Sequence, residues 1–241
     1  MPEVHRRMSW GLALETAASV GAVAIGRGDA VFESVAFTGR RAHAVELLPT
    51  IEALCRRHAV EPSAIDAVYV SCGPGSFTGL RIGITAARML AFSVGARVVP
   101  VPTLDVIAQQ ADAVATPPDR VVVMLDAKRR RVYAAAFRRV EGAYLAEGAA
   151  AEVDPARFLA DQPRPCAVLG DGVAAHRAVV EASGVGLLPD ALGAARAATV
   201  YRLGAARATS IADVDPRDVV PTYVRRPEAE ERWARRHRAD R

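Results

Sequence analysis

Lysine is almost absent from this 241-residue chain: Lys128 stands alone beside 30 arginines, and 49 residues are alanine. Such a bias reflects GC-rich codons, so arginine abundance by itself identifies no partner. The net charge is only +4, and Arg225 to Arg241, with seven Arg and four acids, carries +3 of it. A nearly neutral body with a basic tail is not a nucleic-acid coat. Aromatic residues make up only 5% of the chain, too few to suggest a stacking platform for single-stranded RNA. Three cysteines, Cys55, Cys72 and Cys166, are widely separated and odd in number. That excludes a zinc-type pair and a complete set of intrachain disulfides, and points to reduced thiols in a cytosol. No apolar run approaches the ~18 residues of a membrane span; Val121 to Leu125 stops at Asp126. No two of His5, His43, His58, His176 and His237 lie three or four apart, so no helix presents paired imidazoles to a metal.

What is present is ordinary globular composition, 51% hydrophobic and 24% charged, in a length that suits one large or two small domains. The opening His5-Arg6-Arg7 followed by Met8 to Ile25 imitates a secretory signal, but Glu15 interrupts its apolar core. A strand pair explains it better, and Met8 serves equally well as a start, leaving residues 1–7 as an extension.

Periodicity predicts strands over Trp10–Thr16, Val20–Ile25 and Ala30–Phe37, with Gly26-Arg27-Gly28-Asp29 as a hairpin turn. A helix follows over His43–His58, started or kinked at Pro49. Then come a buried strand over Ile65–Ser71, a helix over Ser76–Val94, a strand over Arg97–Val101 and a helix from Thr103 capped by that threonine. The order βββαβαβα calls for a mixed sheet flanked by helices. Leu12-Ala13-Leu14-Glu15 and Val123-Met124-Leu125-Asp126 are each an apolar strand ending in an acid and turning back. This weak repeat suggests a duplicated unit, less regular in its second copy, with a late helix over Ala195–Thr209 and a last edge strand at Tyr223-Val224.

The most informative stretch is Gly73-Pro74-Gly75-Ser76-Phe77-Thr78-Gly79-Leu80-Arg81-Ile82-Gly83. Ser76 or Thr78 can cap the helix that follows, and a glycine loop feeding a helix N-terminus can hold an anion. Neither a P-loop nor a dinucleotide fingerprint is present, so a tight strand-to-helix turn suffices. Gly79, Gly83 and Ala87 recur every four residues; each glycine costs a helix ~1 kcal/mol relative to alanine. The compensation is close backbone approach, either to this chain's own sheet or to a helix of another chain. Arg81 lies in the first turn, where the dipole disfavours a cation: an acidic partner or plain solvation satisfies it.

This run closely resembles the signature of the TsaB (YeaZ) family. His43 before Leu47-Leu48-Pro49, Leu125-Asp126-Ala127 before Val132-Tyr133, Leu169-Gly170-Asp171-Gly172 and Pro221-Thr222-Tyr223-Val224-Arg225 support it in the family's order. The resemblance implies a two-lobed actin-like ATPase (ASKHA) fold: mixed sheets flanked by helices, the second lobe degenerate. On that basis residues 1–8 are an extension, 9–102 the first lobe, 103–224 the second and 225–241 a charged tail. It implies a non-catalytic, cytoplasmic subunit for N6-threonylcarbamoylation of the adenosine 3′ to the anticodon of tRNA. The partners would be a TsaD-like catalytic paralogue and a TsaE-like ATPase, with tRNA met indirectly or through basic patches and no membrane. A homodimer and a monomer both stay open for the chain alone. Cofactors would be absent here, with ATP and a metal on the partner subunits. The implied interface comprises Gly79, Leu80, Arg81, Gly83, Ala87 and His43; the implied nucleotide or phosphate residues are Glu15, Asp126, Gly170 and Gly172.

Glu15-Thr16-Ala17 departs from the family's Asp-Thr-Ala, and the extra methylene weakens a phosphate or metal role for Glu15. Ser71, Cys72 and Ser76 lack a base at recognisable spacing. The alternatives are a metal-dependent (glyco)peptidase-like hydrolase and a small-molecule kinase of the actin-like class.

Overall fold

A computed structural model describes residues 9–37, 42–210 and 214–225. The expected 1–8 extension and all of the charged tail after Arg225 lie outside the described residues.

β1 (Trp10–Glu15), β2 (Gly21–Arg27) and β3 (Ala30–Phe37) form an antiparallel meander. α1 (Ala42–Arg57) keeps Pro49 inside it and leads to β4 (Ile65–Gly73), α2 (Phe77–Val94) and β5 (Arg97–Pro102). β4 and β5 are parallel to β1, giving the order β3-β2-β1-β4-β5. One face of this sheet buries Leu12, Leu14, Val23, Val68 and Val70 under α1 and α2, where Leu47, Ile51, Leu54 and Ile84 meet them. Alternation along each strand sends Ala13, Ala24, Tyr69 and Val99 to the other face.

α3 (Thr103–Gln109) carries the chain to a second sheet built from β6 (Arg120–Asp126), β7 (Val132–Val140), β8 (Ala143–Ala146) and β9 (Ala151–Val153). α4 (Pro155–Ala160), β10 (Ala167–Leu169), α5 (Gly172–Ala175), α6 (Arg177–Ala182) and β11 (Gly186–Leu187) complete it. Its order, β11-β10-β6-β7-β8, repeats the first sheet: an antiparallel meander, then two strands parallel to its first. β10 and β11 hold only three and two residues, so the second copy is the degenerate one. This is the two-lobed actin-like ATPase fold. The weak repeat at Leu12–Glu15 and Val123–Asp126 falls on β1 and β6, equivalent strands of the two lobes.

Three sequence expectations are corrected. The last helix, α7 (Ala197–Arg207), packs on the first sheet, not within the second lobe. Its small residues Ala197, Gly204 and Ala205 fit the small inner face of β1 and β2, and Tyr201 sets its ring edge-on to Tyr69 at 5.0 Å. A Cβ on Gly204 would lie 2.4 Å from the Tyr69 ring. Val219 is buried in the first lobe too, so a boundary placing all of 103–224 in the second lobe does not hold. Thr103 is the first residue of α3 and does not cap it; its hydroxyl accepts from the Gly73 N–H at 3.1 Å. Tyr223-Val224 forms no strand.

α2 also changes the membrane arithmetic. Its 18 residues, at a mean hydropathy of 1.2, are long and apolar enough to cross a membrane by length and composition, although Arg81 and Arg88 break the contiguous run. In the fold one side of α2 covers β4.

Candidate functional site

The strand ends of β1, β4 and β6 converge on a cleft of about 510 Å³ between the lobes, bordered by Ser19, Ser76, Asp126, Lys128, Asp171 and Arg225.

Glu15 ends β1 but does not reach this cleft. It is fully buried, and its Oε1 accepts from the N–H groups of Ala17 (2.7 Å) and Ala18 (3.2 Å), while Oε2 accepts from the Ser71 hydroxyl. Burial pushes its carboxyl above the usual range, opposed by those hydrogen bonds. The side chain thus closes its own turn. The longer arm that distinguishes Glu from Asp bends back and occupies backbone donors that an anion would otherwise meet.

Opposite the turn, Gly73 (φ +111°) brings the chain into α2, and Ser76 caps the helix by accepting from the Gly79 N–H at 3.2 Å. The β1–β2 turn is pressed into the start of α2. The Ser76 N–H donates to the Ala17 carbonyl at 2.7 Å, and the Thr16 hydroxyl donates to the Gly79 carbonyl at 2.8 Å. A Cβ on Gly79 would lie 1.9 Å from the Thr16 carbonyl oxygen, and one on Gly83 would lie 2.2 Å from Thr16 Oγ1. Gly79, Leu80, Gly83 and Ala87 are buried within this lobe. The close approach that the glycines permit is therefore to this chain's own β1–β2 turn at Thr16, and these four are buried in the chain. Periodicity could not choose between the two, because it gives the spacing of a face and not what covers it.

Arg81 does face outward. Its guanidinium lies 3.8 Å from the Phe77 ring centroid, and its Nε–H donates to the Tyr223 hydroxyl at 3.0 Å. The rest of the outward face was missed in the sequence: Met89 is 66% exposed and Phe92 is 88% exposed. Their position on the turn opposite Gly83 was available from the helical period alone. His43 borders the cleft with its ring edge-on to Phe37 at 5.9 Å, and its Nε2 is buried without a hydrogen-bond partner among the described residues.

In the second lobe, Asp126 does border the cleft. Partial burial raises its pKa, but Lys128, donating from both its backbone N–H (2.8 Å) and Nζ (2.6 Å), holds the carboxyl below the usual range. The Asp126 N–H donates to Asp171 Oδ1 at 2.9 Å; burial pushes the Asp171 carboxyl up. Gly170 (φ +115°) and Gly172 pack on β6 instead of facing the cleft, since Cβ atoms there would lie 2.0 and 2.9 Å from the Met124 carbonyl oxygen. Among the described residues no three His, Cys, Asp or Glu side chains converge as a metal site.

A family model described as "TsaD: tRNA N6-adenosine threonylcarbamoyltransferase" matches residues 35–233. A Bacillus subtilis protein named "tRNA threonylcarbamoyladenosine biosynthesis protein TsaB" is 26% identical over 241 residues, covering 92% of this chain and 96% of that one. An uncharacterised Mycobacterium tuberculosis protein is 35% identical over 190 residues, 78% of either chain. The solved structure "YeaZ from Pseudomonas aeruginosa" superposes with a TM-score of 0.78 at 28% identity, covering 90% of this chain and all of that one. The chain belongs to the family of that threonylcarbamoyltransferase model and, within it, to TsaB (YeaZ).

Proposed function

We propose that this chain works in the synthesis of threonylcarbamoyladenosine in tRNA as a non-catalytic subunit that binds a TsaD-like catalytic paralogue. Family membership supports the pathway. One observation carries the binding role: α2 is locked inward by Thr16 and offers Met89 and Phe92, at 66% and 88% exposure, outward. Exposed apolar side chains gathered on one face, and not scattered singly, are what marks an interaction site. α1, packed beside α2, adds exposed Val45 and Leu48. The interface is thus moved from the glycine stripe to the opposite side of the same helix, keeping Arg81.

The other arrangements fit a partner better than a catalyst. The amides of Ala17 and Ala18, at the turn where an actin-like kinase would need free donors for phosphate, are taken by Glu15. A metal-hydrolase reading draws no support from the donor set of the described residues. ATP and a metal then belong to the TsaD- and TsaE-like partners, tRNA is met within the complex, and the chain works in the cytoplasm.

The test is reconstitution. The purified chain and its catalytic paralogue, mixed at micromolar concentration, should co-elute in size-exclusion chromatography. Threonylcarbamoyladenosine should form only when both are present with the ATPase. Separate elution, or full synthesis without this chain, overturns the reading.

A further inference from the structure

The segment 221–225 crosses from one lobe to the other at the mouth of the cleft. It leaves the first lobe firmly held. Val219 is buried in the first core, and the Thr222 N–H donates to the Cys72 carbonyl, at the end of β4, at 2.7 Å. The fit is tight: a Cβ on Gly73 would lie 2.8 Å from the Thr222 carbonyl oxygen. Tyr223 then lies against Phe77, with ring centroids 5.1 Å apart, and accepts from Arg81. Two residues later Arg225 engages the other lobe. Its Nε–H donates to Glu152 Oε2 at 2.6 Å and its Nη2 to Glu152 Oε1, a two-pronged pair with β9.

Both partners are mostly shielded, 19% and 23% exposed, so their attraction is screened less than that of a surface pair. Glu152 is itself fixed: its carbonyl accepts from Arg131 Nη2 at 3.0 Å, its carboxylate Oε1 lies 3.8 Å from Arg131 Nε, and β9 pairs with β7. Arg225 holds the Glu152 carboxyl below the usual range, despite some burial. The covalent crossings between lobes lie elsewhere, through α3 and through the chain entering α7.

We propose that residues 221–225 are an interlobe strap whose Arg225–Glu152 pair sets how far the cleft opens. Hinged two-lobe folds change aperture by rotation about their crossings, and a contact across the mouth opposes that rotation. The strap also runs over the start of α2, so its Tyr223 end is part of the outward face that carries Arg81.

The experiment places spin labels at Ser63→Cys and Ala178→Cys, exposed positions on opposite lobes, in the full chain; Cys55, Cys72 and Cys166 are buried. Interlobe distance distributions are then measured in the Arg225→Ala, Glu152→Gln and Arg225→Lys variants, with circular dichroism confirming the fold. Both Arg225→Ala and Glu152→Gln should shift the distribution to longer distances and broaden it, and Arg225→Lys should fall between Arg225→Ala and the parent. Unchanged distributions in either of the first two variants overturn the proposal; a shift in Glu152→Gln alone would assign the effect to Arg131. None of these readouts depends on the tRNA pathway.

Discussion

Thr16 sits directly beneath Gly79: its hydroxyl donates to the Gly79 carbonyl at 2.8 Å, and its own carbonyl fills the space where a Gly79 side chain would start. The two residues are 63 positions apart, and their contact locks the β1–β2 turn to the first turn of α2.

Adding a methyl group there should therefore damage the fold. Gly79→Ala and Gly83→Ala gain up to ~1 kcal/mol of helix propensity each. Against that, their Cβ atoms would lie 1.9 and 2.2 Å from Thr16 oxygens, and overpacking of this kind costs about 1–3 kcal/mol. Gly79→Ala meets backbone and should be the worse. Thermal melting is the measurement: a melting temperature equal to the parent's in both variants would show that the turn yields freely.

The outward face of α2 should behave in the opposite way. Met89→Asp and Phe92→Asp change exposed side chains, and surface substitutions usually stay within about 0.5 kcal/mol. Melting should be nearly native while the affinity for the catalytic paralogue falls at least tenfold, about 1.4 kcal/mol. Native affinity in the double variant would place the interface elsewhere.

Glu15 makes stability depend on pH in a definite direction. Its carboxyl is raised in the folded chain, chiefly by burial, from the ordinary value of 4.5. Between the unfolded and folded values the folded chain binds more protons, so stability falls as pH rises through that window and is flat above it. Glu15→Gln removes the titration but keeps an acceptor for Ala17 and Ala18. Denaturant titrations should find this part of the slope gone and Glu15→Gln no less stable than the parent at alkaline pH. Glu15→Ala leaves those amides and Ser71 unpaired, costing about 1–3 kcal/mol. A Glu15→Gln profile that parallels the parent's would refute the assignment.

Chelation should leave the isolated chain unaffected, because no metal-ligand cluster exists among the described residues. Excess EDTA should not move the melting temperature or co-elution with a metal-free paralogue. A drop of several degrees would revive the hydrolase alternative.

Much was legible before any coordinates. The motif from Gly73 to Gly83 pointed to the family, period-2 and period-3.6 patterns placed most strands and helices, and the two acid-ended strands announced a duplication. These are local features, written by neighbouring residues. Asp126 was named from the sequence only through the family resemblance, as a nucleotide or phosphate residue; its place at the cleft, at the end of the strand equivalent to β1, came from the structure. The sequence also marked Gly79 and Gly83 as points of close approach.

Tertiary structure alone decided what approaches them within the chain, and the answer was Thr16 of the β1–β2 turn. It alone turned Glu15 back into its own loop, returned α7 to the first sheet, and brought Arg225 to Glu152, 73 residues away. A pattern of spacing tells which side chains share a face. It carries no record of which distant segment will cover that face, because that depends on the packing of all the segments at once.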